Sequence, residues 1–154
     1  VIVMDEGKIL QQGSAKEIYE NPATTKVAEI TNDPAMNLVD GEINGKKITL
    51  NNEVILKVPK HFKDLTDGKY SFGIRASGVT IDKSGFPFQI ELAEISGSET
   101  FLHLNNDQIH LVGLLDAVKN FDIGEIVKVS FDIEKLYAFG SDGILMSSPY
   151  SGTK

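Results

Sequence analysis

The chain has 154 residues, enough for one well-buried domain or for two small subdomains sharing a core. Acidic side chains outnumber basic ones 22 to 15 and Arg75 is the sole arginine, which disfavours a nucleic-acid-binding face built on phosphate contacts. There is no cysteine, so disulfides and thiolate metal sites are excluded and a reducing compartment fits, and no apolar run is long enough to span a bilayer.

The sequence opens at Val1 inside an apolar run, with no methionine or polar lead-in, as expected of a cut within a longer protein. Val1 to Met4 has high β-propensity, Asp5-Glu6-Gly7 makes a turn, and Lys8 to Gln12 completes a hairpin closed by Gly13. Ser14 and Glu17 have the spacing of a capping box, in which each side chain takes the other residue's amide, and a short helix runs on to about Glu20. Asn21-Pro22 restarts the pattern, with Asn21 as cap and Pro22 at the first helical position. Val27 and Ile30, three apart, are expected on one face, and Asn32-Asp33-Pro34 ends the helix.

From Met36 onward the pattern is that of strands. Asn44-Gly45 is a strong hairpin signal between Glu42-Ile43 and Lys46 to Leu50, because such a pair accepts positive φ angles. Asn51-Asn52 predicts a second turn, before a strand from Glu53 to Val58. Pro59 to Gly68 reads as a loop or helical turn, and strands Tyr70 to Arg75 and Val79 to Asp82 are interrupted near Gly78. Phe88, Ile90 and Leu92 alternate with Gln89 and Glu91, as in a half-buried strand. Turns at Gly97-Ser98 and Asn105-Asn106-Asp107 separate strands 99–104 and 109–114. Val127, Val129, Phe131 and Ile133 alternate with polar residues, and Ser141-Asp142-Gly143 turns into a last strand, 144–146. Many short strands with frequent turns indicate a mainly β fold, a barrel or sandwich.

Few segments carry chemistry. Val1 to Glu6 looks like a Walker B strand, but a nucleotide site also needs a glycine-rich phosphate loop and none is present, so an ordinary strand ending in an acidic turn is the better reading. Ile95-Ser-Gly-Ser-Glu99 is superficially like the Leu-Ser-Gly-Gly-Gln signature of ABC ATPases, yet it lies between alternating strands and reads as a hairpin turn. His103, Asp107 and His110 are spaced too loosely for a convincing metal site and read as strand-surface and turn polarity, while His61 reads as a solvated loop residue. No serine sits in a nucleophile elbow and nothing places two carboxylates across a cleft. Arg75 could bind an oxyanion, but an ion pair with a carboxylate such as Glu99 is the better expectation.

Taken in order, these segments resemble the C-terminal part of the ATP-binding subunits of maltose-type and glycerol-phosphate-type ABC importers. Val3 to Gly13 and Glu17 to Ala23 match the end of their nucleotide-binding domain, followed by the helix to Ile30 and by Pro34-Ala35-Met36-Asn37. Phe72-Gly73-Ile74-Arg75 resembles the family's Leu-Gly-Ile-Arg strand, Gly97-Ser98-Glu99-Thr100 its Gly-x-Glu-Thr turn, and Phe139 to Gly143 its closing Phe-x-x-x-Gly turn. The chain departs from the family at Ala76-Ser77-Gly78, where Pro-Glu-His is usual, and at Asn32-Asp33-Pro34, where Gly-x-Pro is usual.

The resemblance implies two parts. Residues 1–33 would be the tail of an ABC nucleotide-binding domain, a hairpin with one or two short helices. Residues 34–154 would be an OB-like or MOP-like regulatory barrel, the transport-associated OB (TOBE) domain. It also implies that the opening strand, apart from its parent sheet, exposes an edge and apolar surface and is rebuilt, mobile or paired with a second copy. Catalytic, cofactor-binding and metal-binding residues are expected in the parent protein rather than in this part, with ATP and magnesium bound upstream. Asn37, Gly73, Arg75, Gly97, Glu99 and Gly143 are the structural or interface candidates that the family motifs supply.

By the same resemblance, the role is regulation and dimerisation of the ATP-hydrolysing subunit of an importer of sugars, polyols or sugar phosphates, peripheral at the cytoplasmic face of the membrane. Its partners would be a second copy of the subunit, the membrane-spanning permease subunits through the nucleotide-binding domain, and a regulatory protein, with no nucleic acid. The alternative is a small oxyanion-binding OB-like module of the molybdate type, in which backbone amides supply the donors.

Overall fold

The computed structural model describes residues 1–51 and 53–151. The chain opens with β1 (Ile2–Asp5) and β2 (Lys8–Gln12), an antiparallel hairpin with a register shift at Val3/Met4. Its two-residue turn, Glu6-Gly7, has positive φ at both positions (50° and 77°), which matches the twist of the flanking strands. The expected strand edge and apolar surface are present on an intact hairpin, with Ile2, Met4 and Ile9 all exposed.

Helix α1 (Ala15–Glu20) starts at Ser14 with the expected capping box complete: the Glu17 amide donates to Ser14 Oγ at 3.1 Å and the Ser14 amide to Glu17 Oε2 at 3.2 Å. Helix α2 (Thr25–Ile30) begins later than Asn21-Pro22 predicts. Thr24 is its cap, accepting from the Val27 amide, while Asn21 terminates α1 and its side chain is engaged by Ser148 Oγ at 2.6 Å. The buried stripe of α2 is formed by Val27 and Ala28, both fully buried, and Ile30 is 45% exposed rather than sharing the buried face with Val27.

The remaining strands form two antiparallel sheets. They are β3 (Asn37–Asn44), β4 (Lys47–Leu50), β5 (Val54–Lys57), β6 (Gly68–Ile74), β7 (Val79–Ser96), β8 (Glu99–Asn105), β9 (His110–Leu115), β10 (Ile126–Phe131), β11 (Tyr137–Phe139) and β12 (Leu145–Ser147). One sheet runs β12-β11-β6-β3-β4-β5 and the other β10-β7-β8-β9. The inward faces share a core that includes Ile48, Phe62, Phe72, Val79, Phe88, Leu102, Leu104 and Val129. The fold is mainly β, with a curled half-barrel sheet, and is consistent with an OB-like domain.

Several sequence expectations shift by a residue or two for identifiable reasons. The β3–β4 turn is Gly45-Lys46 rather than Asn44-Gly45, and only Gly45 has positive φ, 64°. That register sets Ile43 opposite Ile48, both buried, where the alternative would put Lys46 on the core face. Asn51 has the left-handed φ of a turn residue, 46°; Asn52, its expected partner, lies outside the described residues. In β7 the alternation breaks after Ile90, where a bulge advances the register so that Leu92 opposes His103 and is exposed. Ile133 lies in a 3-10 turn, Ile133–Lys135, capped by Asp132, rather than in β10.

Candidate functional site

The feature that joins the most candidate residues is the joint between the opening segment and the sheets. It is built around Arg75, which follows β6 and leads into the 3-10 turn Ala76–Gly78. Its Nε donates to Asn32 Oδ1 at 2.7 Å, Nη1 to the Tyr137 hydroxyl at 2.6 Å and Nη2 to the Tyr19 carbonyl. The guanidinium also lies over the Tyr19 ring, 3.8 Å from its centre. All three guanidinium nitrogens are therefore engaged, by α1, by the segment after α2 and by β11. A planar fork suits three divergent acceptors and an aromatic face in a way that an ammonium does not.

The expected Arg75–Glu99 ion pair is not formed. Arg75 leaves the six-stranded sheet, whereas Glu99 opens β8 in the other sheet, across a hairpin turn from Ser96. Among the described residues Arg75 has neutral partners only. Tyr137 is 1% exposed, and burial raises its pKa above the ordinary tyrosine value of 10.0, while the hydrogen bond and charge of Arg75 pull the other way.

The backbone completes the joint. The Thr25 amide donates to the Gly143 carbonyl at 2.9 Å and the Leu145 amide to the Ala23 carbonyl at 3.0 Å, flanking a bridge between Thr24 and Ile144. Gly143 has φ +83°, and a Cβ there would meet Thr25 Oγ1 at 3.1 Å. Beside it Ala28, Met36, Tyr137 and Phe139 are buried together, with Leu38, Leu145 and Tyr150 against them. Gly73 lies under this cluster: a Cβ there would stand 2.6 Å from Met36 Sδ and 3.1 Å from Phe139 Cε2.

Of the six candidates, Gly73, Arg75 and Gly143 therefore lie at the joint. Asn37 pairs with Ile74 in the β3–β6 ladder, and its side chain ties β3 to β9 of the other sheet. Gly97 and Glu99 lie apart, at the tip of the β7–β8 hairpin, where Gly97 has φ +61°. In that motif the buried residue is Thr100, fully enclosed, whose hydroxyl donates to the Ala117 carbonyl at 2.7 Å and accepts from the Lys119 amide.

The remaining polar residues are held locally. His103 meets Glu94 at 2.9 Å and His110 meets Glu91 at 3.3 Å, while Asp107 occupies a turn with φ 74°. His61 is not a solvated loop residue, because its Nε2 contacts the Leu136 carbonyl at 2.7 Å and its ring packs edge-on to Phe62. Tyr19, Tyr137 and Ser148 join the site without having been singled out from sequence, and Asn32 was marked only as a helix end and a departure from the family pattern. Their roles depend on contacts across 43 to 127 positions of chain, and only Tyr19 lay within a family-like segment.

No family model matches the chain. Curated relatives do. The sn-glycerol-3-phosphate import ATP-binding protein UgpC of Psychromonas ingrahamii is 28% identical over 92% of this chain, and that of Brucella abortus is 30% identical over 93%. The oligosaccharides import ATP-binding protein MsmX of Bacillus subtilis is 27% identical over 92%. The chain's homologues are thus ATP-binding subunits of sugar-type ABC importers, and it is consistent with a C-terminal region of these. It spans 40% of the length of both UgpC relatives and 42% of that of MsmX.

Proposed function

We propose that this chain is the regulatory and dimerisation region of an ABC importer's ATP-binding subunit, for a sugar, polyol or sugar phosphate. The observation that carries this reading is the match along 92% of the chain to import ATP-binding proteins of which it spans only 40–42%. On this reading, ATP and magnesium bind in the remainder of the subunit, residues 1–33 are the last part of the nucleotide-binding domain, and residues 34–154 are the OB-like regulatory domain.

The region then acts by contact. It holds a second copy of the subunit near the first, receives a regulatory protein, and sits at the cytoplasmic face through the permease-bound ATPase. A ligand or partner that prefers one arrangement of the pair shifts the ATPase cycle by the difference in its affinity for the two arrangements. The oxyanion-binding alternative is less well supported, because the chain's one guanidinium is taken by Tyr19, Asn32 and Tyr137.

Sedimentation of the whole subunit, with and without residues 34–154, tests the reading. The intact subunit is expected to remain dimeric without nucleotide and the truncated one to fall to monomers. Equal dimerisation of both would overturn it.

A further inference from the structure

The opening segment has a core of its own. Val3, Ile18 and Val27 are buried together with Leu10 against them, and all four lie within residues 1–31. Its apolar tie to the sheets is slight. To the cluster beneath the joint it contributes a single residue, Ala28; the other members, Met36, Leu38, Tyr137, Phe139, Leu145 and Tyr150, come from beyond the helices. What else joins them among the described residues is mainly polar: the two backbone bonds at Ala23 and Thr25, the Asn21–Ser148 bond, the Tyr137 hydroxyl donating to the Tyr19 carbonyl, and the fan of contacts from Arg75. A unit that has a small buried core of its own and is attached mainly by polar contacts is the kind that opens as a whole without unfolding the rest.

We infer that Arg75 is the positioning residue of this joint, a latch that decides whether residues 1–31 and the two sheets move as one body. Arg75 reaches the C-terminal ends of both helices at once, at Tyr19 in the last turn of α1 and at Asn32 just beyond α2. Its third bond, to buried Tyr137, anchors the fork in β11. With the latch closed, a displacement of the sheets carries the segment with it. With it open, the contacts left among the described residues include the two backbone bonds, the Asn21–Ser148 bond, the Tyr137 hydroxyl's bond to the Tyr19 carbonyl at 3.3 Å and one buried alanine. This deepens the regulatory reading above by naming the residue through which a regulatory rearrangement would reach the ATPase tail.

Hydrogen exchange on the intact chain tests the latch without reference to ATPase activity. Hydrogen bonds to a charged group are worth enough that losing them lowers local protection by about ten- to a hundredfold. Arg75→Gln is expected to speed exchange by that factor across α1 and α2 and to leave β7, β8 and β10 at their wild-type protection. Arg75→Lys is expected to behave like Arg75→Gln, since an ammonium cannot serve three divergent acceptors. Asn32→Ala, which leaves the arginine in place but also removes the Asn32 bond to the Ala28 carbonyl of α2, is read at α1, where the same effect is expected at smaller size, and it serves as the test if the Arg75 variants fail to fold. Exchange that rises equally in the sheets, or stays unchanged in the helices, would overturn the proposal. Failure of the subunit to dimerise through this region would leave it standing.

Discussion

Asn37 and Val112 are joined by a reciprocal pair of hydrogen bonds: Asn37 Nδ2 donates to the Val112 carbonyl at 2.9 Å, and the Val112 amide donates to Asn37 Oδ1 at 2.8 Å. A side-chain amide here satisfies a residue of β9 as a neighbouring strand would. It fastens the outer edge of the four-stranded sheet to the start of β3, and because Asn37 is buried, water cannot easily replace it.

Asn37→Ala is therefore expected to destabilise the fold by about 1 to 3 kcal/mol, the cost of leaving a buried amide and carbonyl without partners. Asn37→Asp should cost more at neutral pH, because it replaces the donor to the Val112 carbonyl with a second oxygen. Urea unfolding of the two variants, followed by circular dichroism, measures both.

Gly73→Ala is expected to cost about 1 to 3 kcal/mol through overpacking, since the added methyl would stand 2.6 Å from Met36 Sδ. If that clash is the cause, shortening Met36 in the Gly73→Ala background should recover part of the loss. A double-mutant cycle with Met36→Ala, read by urea midpoints, should therefore give a favourable coupling between the two substitutions.

Thr24→Ala is expected to lower stability by about 1 kcal/mol, with the loss concentrated in α2, because the Thr24 hydroxyl accepts from the Val27 amide. Asn21→Ala should leave the α2 start intact and instead loosen the turn after β12, where Ser148 loses its acceptor. Amide exchange at Val27 and Ala28 for the first variant, and at Tyr150 and Ser151 for the second, separates the two.

The raised pKa of Tyr137 sets a pH dependence. Burial favours the neutral phenol in the folded state, so this site's contribution to stability is fully present below about 10.0 and is lost as pH rises through the folded value. Tyr137→Phe removes the titrating group and also the acceptor of Arg75 Nη1. The variant should be less stable than wild type at neutral pH, and the gap should narrow above pH 10.0, measured as urea midpoints along a pH series.

Much of the fold was legible because it is encoded locally. The capping box needs only Ser14 and Glu17, three positions apart, and the opening hairpin needs only a turn that tolerates positive φ at Glu6 and Gly7. Alternation found the core faces of β7 at Phe88 and Ile90 and of β10 at Val127, Val129 and Phe131. Misplaced features were decided by distant partners. Asn21 has the side chain of a cap, but Ser148 competes for it and Thr24 takes over. Leu92 continues an alternating pattern, but the bulge opposite β8 turns it outward. Arg75 was marked out in the sequence only by being the sole arginine and by the family-like strand it ends. Its partners were not, because hydrogen-bond acceptors such as the Tyr19 carbonyl have no signature in a side-chain pattern.

The central claim is that this region works by contact while ATP is hydrolysed elsewhere in the subunit. ATP turnover, measured for the purified chain and for the whole subunit under the same conditions, tests it most directly. The account predicts turnover by the whole subunit and none by the chain alone. Sustained hydrolysis by the isolated chain would contradict it.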